Sequence, residues 1–257
     1  MSLGLTFKGI EAEDPVNLRL KFSLDAENHV AAGAQARIAS WRVEVGGQEA
    51  VGAFSLDYPQ TEFSLESSID LALDMDITAL AAKGLAPKDE YSITLITELE
   101  FPSISASHSA SDARLEVRGL AVFAGVRPPV FSITEIAILQ AELINTRLRV
   151  ALRIDNPNPF PIELSSFSYS LYGNGILWAD GIERNIFVVD GNTSLHGNLL
   201  LLMNFMGMNR RLLDQVIRLE DVRYNFVGRI QISTGLEYLP VFNHSFEISG
   251  VSRVFDR

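Results

Sequence analysis

Arg153-Ile154-Asp155-Asn156-Pro157-Asn158-Pro159-Phe160-Pro161-Ile162 is where a strand pattern breaks off and must resume. Upstream of it, Leu148, Val150, Leu152 and Ile154 alternate with Arg147, Arg149, Ala151 and Arg153. Such alternation gives one apolar and one charged face, as in a strand half-buried on a core. Three prolines within five residues then remove backbone donors and fix φ. The chain therefore leaves its ladder in an extended, kinked segment. Asn156 and Asn158 carry side-chain amides able to replace the lost ladder bonds. With no nucleophile and no histidine, the stretch reads as a rigid corner rather than a catalytic loop.

The same grammar runs outward in both directions. Leu18, Leu20, Phe22 and Leu24 alternate with Arg19, Lys21, Ser23 and Asp25, and Trp41, Val43 and Val45 lead to a Gly46-Gly47 turn. Ile69 to Ile77 alternates again, and Thr78 to Gly84 predicts a short helix capped by Thr78. Tyr91 to Leu99 returns to strand. In the second half, Phe167, Tyr169 and Leu171 precede a Gly173-Asn174-Gly175 turn, and Leu195 to Phe205 forms a long strand. Asn209 to Arg218 predicts a second short helix, and Tyr224 to Ile232 another strand. Leu18–Asp25 aligns with Leu148–Asp155, Trp41 with Phe167, and Tyr91 with Tyr224, at an offset of roughly 130 residues that suggests two copies of one domain. The expected boundaries are 1–118 and 130–257, with Gly119 to Pro129 as linker. Many strands without a βαβ rhythm favour an all-β fold of two tandem antiparallel sandwiches, each with one short helix.

Bulk composition narrows function. A chain of 257 residues that is 47% hydrophobic buries substantial cores. It has no cysteine, which excludes disulfides, thiolate metal sites and cysteine nucleophiles. Of the net charge of −11, residues 1–118 carry −10 (9 basic, 19 acidic) and residues 119–257 carry −1 (12 basic, 13 acidic). An acidic first half lacks the clustered cations that nucleic acid or anionic lipid requires, and the second half has no lysine. No window approaches a membrane span, and no insertion into a membrane is expected.

The second half resembles the late-embryogenesis-abundant type 2 family, also called the water-stress and hypersensitive-response domain, from about Arg147 to Gly250. The residues that carry the likeness are Asn156-Pro157-Asn158-Pro159-Phe160-Pro161, Phe167 to Gly175, Ala179-Asp180-Gly181, Tyr224 to Ile230, and Leu239 to Phe242. In the first half Ala26 to Val30 stands where the Asn-Pro corner should be. The resemblance implies immunoglobulin-like or fibronectin-like sandwiches without enzymatic activity, associated with desiccation or stress. It also implies an exported location, periplasmic or lipid-anchored after loss of a leader, the alternative being the cytoplasm.

Few residues invite a sharper reading. Asp70, Asp74 and Asp76 share a strand face that either holds a cation or is simply solvated, the second being the ordinary arrangement. His29, His108, His196 and His244 lack metal-ligand spacing, so no metal and no cofactor is expected. Leu200 and Leu202 stand opposite Leu199, Leu201 and Met203, making one strand apolar on both faces. Either the fold covers that second face, the favoured expectation, or Leu200, Leu202 and Met206 form a contact surface. The leading reading is a monomeric protective or interaction module for an unknown client protein; the alternative is an exported protein binding an apolar ligand or lipid through its second domain.

Overall fold

The computed structural model describes residues 2–27, 34–85, 89–102, 114–140, 146–184, 186–203, 221–253 and 255–256. The chain divides into two compact units, Met1–Val126 and Arg127–Arg257.

In unit 1 the strands are β1 (Ser2–Ala12), β2 (Asn17–Glu27), β3 (Gln35–Val45), β4 (Gln48–Glu49), β5 (Phe54–Asp57), β6 (Phe63–Ser64) and β7 (Ile69–Asp76). The helix α1 (Ile77–Ala82), β8 (Glu90–Glu100) and β9 (Arg114–Ala124) follow. They form two antiparallel sheets, ordered β1-β2-β7-β5 and β4-β3-β8-β9, with β6 on β3. Leu18, Leu20, Phe22 and Leu24 of β2 are buried, as are Leu71, Leu73 and Met75 of β7, because period-two patterning turns one face of each strand inward. Two expectations are corrected. The cap of α1 is Asp76, whose Oδ1 accepts from the N–H groups of Thr78 (2.8 Å) and Ala79 (3.1 Å); a carboxylate just before the helix satisfies the free amides of its first turn, whereas Thr78 already lies two residues further in. Gly119 to Ala124 is not linker but the end of β9, paired with Glu90 to Leu95 of β8.

Unit 2 contains β10 (Val130–Gln140), β11 (Thr146–Asp155), β12 (Ile162–Gly173), β13 (Ile176–Glu183), β14 (Phe187–Val189), β15 (Ser194–Met203), β16 (Asp221–Leu236), β17 (Leu239–Arg253) and β18 (Phe255–Asp256). One sheet is ordered β15-β11-β10-β18 and the other β13-β12-β16-β17, with β14 on β12. All these pairings are antiparallel except that of β10 with β18. Unit 1 shows the same order of strands: β1-β2-β7 matches β10-β11-β15, and β4-β3-β8-β9 matches β13-β12-β16-β17. The helix expected over Asn209 to Arg218 lies outside the described residues.

Rings fill the core of unit 2. Phe131 of β10 lies parallel to Phe246 of β17 at 3.9 Å between centroids, joining the two sheets, and Phe167, Tyr169 and Phe226 pack beside them. Two glycines make the room. Phe246 is the cross-strand partner of Gly228, where a Cβ would stand 2.4 Å from that ring, and Tyr224 is the partner of Gly250, where a Cβ would stand 2.6 Å from the phenol oxygen. The Tyr224-x-x-x-Gly228 spacing is therefore a packing device: each ring lies over a residue with no side chain.

Candidate contact surface

The proline corner closes on itself. Asn156 and Asn158 are 2% and 0% exposed. The Asn156 Nδ2 group lies within hydrogen-bonding distance of the carbonyls of Phe160 (2.8 Å), Val189 (3.1 Å) and Asp190 (3.2 Å). Its Oδ1 accepts from the backbone N–H (3.0 Å) and the Nδ2 (2.9 Å) of Asn158. Asn158 then clasps Arg127: its Oδ1 accepts the Arg127 N–H (2.7 Å) and its Nδ2 donates to the Arg127 carbonyl (2.8 Å). The Arg127 guanidinium donates to the Pro157 carbonyl. Two side chains thus reproduce the backbone pairing that Pro157, Pro159 and Pro161 forbid. Phe160 contributes its carbonyl, and both side-chain amides of the motif are engaged within the protein.

The acidic face of β7 is answered by its neighbour. Arg19 of β2 is the cross-strand partner of Asp74 and contacts it at 3.1 Å, while also reaching Asp57 of β5 at 2.9 Å. Asp76 caps α1, and Asp70 lies opposite Ser23. No group of three or more His, Asp or Glu able to hold a metal occurs among the described residues. Beside Arg19 lies an open groove of about 750 Å³ lined by Glu11, Asp14, Asn17 and Asp74. Of its charged groups, Arg19 pairs with Asp74, Glu11 with Lys21, and Asp14 accepts from the backbone N–H groups of Val16 and Asn17.

The histidines are dispersed. His29 and His108 lie outside the described residues. His196 is exposed on β15 opposite Arg153, whereas His244 of β17 is half-buried beside the stacked rings of Phe131 and Phe246, each 6.2 Å away. Removal from water lowers its pKa from the ordinary 6.5. Asp155, at the end of β11, is held below the usual carboxylate range by the Ser194 hydroxyl and then by Arg153. No pair of these groups makes a nucleophile with its base.

Leu200 and Leu202 depart from the favoured expectation. Leu199, Leu201 and Met203 are buried, but Leu200 and Leu202 are 65% and 60% exposed, so the second apolar face of β15 is open rather than covered. The inner residues satisfy the core, and the outer ones find no layer of described residues above them. Met206 lies outside the described residues.

With this geometry in hand, the chain can be set beside known proteins. Residues 151–242 match the family model of late embryogenesis abundant protein, LEA_2. The match falls on the later part of the chain. The matched region thus opens within β11, takes in the corner, β15 and the rings of Phe167, Tyr169 and Phe226, and ends within β17, short of Phe246. No curated protein matches the chain. Among solved structures, a protein from Archaeoglobus fulgidus is 17% identical over 49% of this chain and 97% of its own, with a TM-score of 0.30. A β-glucuronidase from Bacteroides uniformis is 9% identical over 93% of this chain and 28% of its own, with a TM-score of 0.25. The CupB6 tip adhesin from Pseudomonas aeruginosa is 8% identical over 96% of this chain and 98% of its own, also with a TM-score of 0.25. Likenesses of this size carry no functional argument.

Proposed function

We propose that this is a non-enzymatic, stress-associated protective protein that contacts client proteins through the outer face of β15. In this reading both units are copies of one immunoglobulin- or fibronectin-like sandwich, supported by their shared strand order. The observation that carries the contact surface is the exposure of Leu200 and Leu202 at 65% and 60% on a strand whose inner face is already packed. Adjacent exposed leucines associate with apolar surface that a partly unfolded client offers, gaining roughly 25 cal/mol per Å² covered. The LEA_2 family supports a stress-related role without catalysis. Unit 1, with its share of −10 in net charge, keeps the assembly soluble as water is withdrawn.

The test uses the full chain and a drying-sensitive enzyme. Light scattering and residual activity after drying are measured with the native chain, with Leu200→Ser/Leu202→Ser, and with Leu120→Ser/Val122→Ser as an exposed-apolar control in unit 1. The reading expects the first pair to lose most of the protection and the second to keep it. Equal protection by all three would show that any soluble acidic chain suffices and would remove the contact surface.

A further inference from the structure

The exposed leucines lie beside a row of arginines. Register places Leu200 opposite Arg149, Leu202 opposite Arg147, and His196 opposite Arg153, all on the outer face of the sheet. Arg149 donates to Glu135 at 3.0 Å and Arg153 to Asp155 at 2.8 Å, so two of the three guanidiniums are compensated. Arg147 is exposed and has no ion-pair partner among the described residues. Among the described residues the face therefore offers one uncompensated cation next to two leucines, on a chain whose net charge is −11.

That combination selects among ligands. Nucleic acid and anionic membranes are held by several clustered cations, and a single free guanidinium is too few. A carboxylate flanked by aliphatic side chains matches it, since a guanidinium binds a carboxylate through paired hydrogen bonds. We propose that β15 and its Arg147 border dock an extended acidic and apolar segment of a partner protein. The segment lays aliphatic side chains against Leu200 and Leu202 and sets a carboxylate at Arg147. This rests on the contact-surface reading above and names the chemistry of what that surface takes. The footprint of one short strand falls below the roughly 1,200 Å² of stable complexes, so exchange is fast, as a transient holder of clients requires.

The experiment measures fluorescence anisotropy on the full chain with three probes. They are a labelled ten-residue peptide alternating Glu with Leu and Val, its counterpart with Lys for Glu, and phosphatidylglycerol vesicles read by co-sedimentation. Native chain, Arg147→Glu and Leu200→Ser/Leu202→Ser are compared, each first shown to retain the native urea midpoint, since all three positions point outward. The acidic peptide is expected to bind the native chain, to lose at least fivefold in affinity with Arg147→Glu, and to lose more with the serine pair. The lysine peptide is expected to prefer Arg147→Glu to the native chain. Equal affinity of the acidic peptide for native and Arg147→Glu chains overturns the proposal, as does binding of vesicles but neither peptide. If neither peptide binds while the serine pair still abolishes protection of the dried enzyme, the acidic-segment assignment fails and the contact surface stands. If the serine pair protects fully, the surface reading itself fails.

Discussion

Replacing Asn156 by alanine removes the centre of the proline corner, and its cost follows from what is left behind. Five hydrogen bonds end on this side chain. The Phe160 and Asp190 carbonyls sit where water can reach them, so they lose little. The Val189 carbonyl and the Asn158 N–H are buried, and each is stranded without a partner at about 1–3 kcal/mol. The cavity adds a smaller amount, so Asn156→Ala destabilises unit 2 by about 3–5 kcal/mol. Asn156→Asp keeps the shape but points a carboxylate oxygen at three carbonyls, and costs at least as much. The assay is urea unfolding followed by tryptophan emission. The chain has two tryptophans, Trp41 in unit 1 and Trp178 buried in unit 2, so a Trp41→Phe background reports unit 2 alone. An unchanged Trp178 midpoint in Asn156→Ala, or an aspartate variant as stable as native, would refute the argument that the amide replaces missing ladder bonds.

Other perturbations test other links. Because His244 has a lowered folded pKa, its neutral form is favoured in the fold; the stability it contributes is present above the ordinary 6.5 and is lost as pH falls through the lowered value. The Trp178 midpoint should therefore drop between pH 7 and 5, and His244→Phe should remove that component. Gly228→Ala drives a methyl into the rings of Phe246 and Phe167 and should cost unit 2 about 1–3 kcal/mol, with Trp41 emission unmoved. Asp76→Ala should cost unit 1 about 1 kcal/mol through loss of the helix cap, read from Trp41 emission in urea. Calcium should leave the melting temperature of the native chain unchanged, because Arg19 already bridges Asp74 and Asp57.

What could be read from residues alone followed from local chemistry. β2 and β11 were legible because period two with one face buried leaves a visible alternation, and the corner because three prolines cannot sit in a ladder. Gly119 to Ala124 misled because the consecutive prolines Pro128 and Pro129 that follow mark a linker, while its pairing with β8 is a long-range fact. Asp76 belongs by spacing to a strand face and by geometry to the next element, and only the backbone path separates these roles. The ring-over-glycine pairs depend on register, which no single strand contains. Leu200 and Leu202 were visible as an anomaly, but their exposure depends on which layers stand above β15.

The corner also bears on the chemical lifetime of the protein. Asparagine ages by attack of the following backbone nitrogen on its side chain, which yields a succinimide and then aspartate. At Asn156 and Asn158 the following nitrogens belong to Pro157 and Pro159, which have no proton to lose. The two amides whose conversion to carboxylates would be most damaging are thus the two whose neighbours block it. Asn174 offers the contrast: it precedes Gly175 in an exposed turn and lies open to the reaction. A sample stored warm and wet for weeks would accumulate charge at Asn174 while the corner kept its amides. The Asn-Pro-Asn-Pro sequence is therefore suited to a protein that must outlast long intervals without resynthesis.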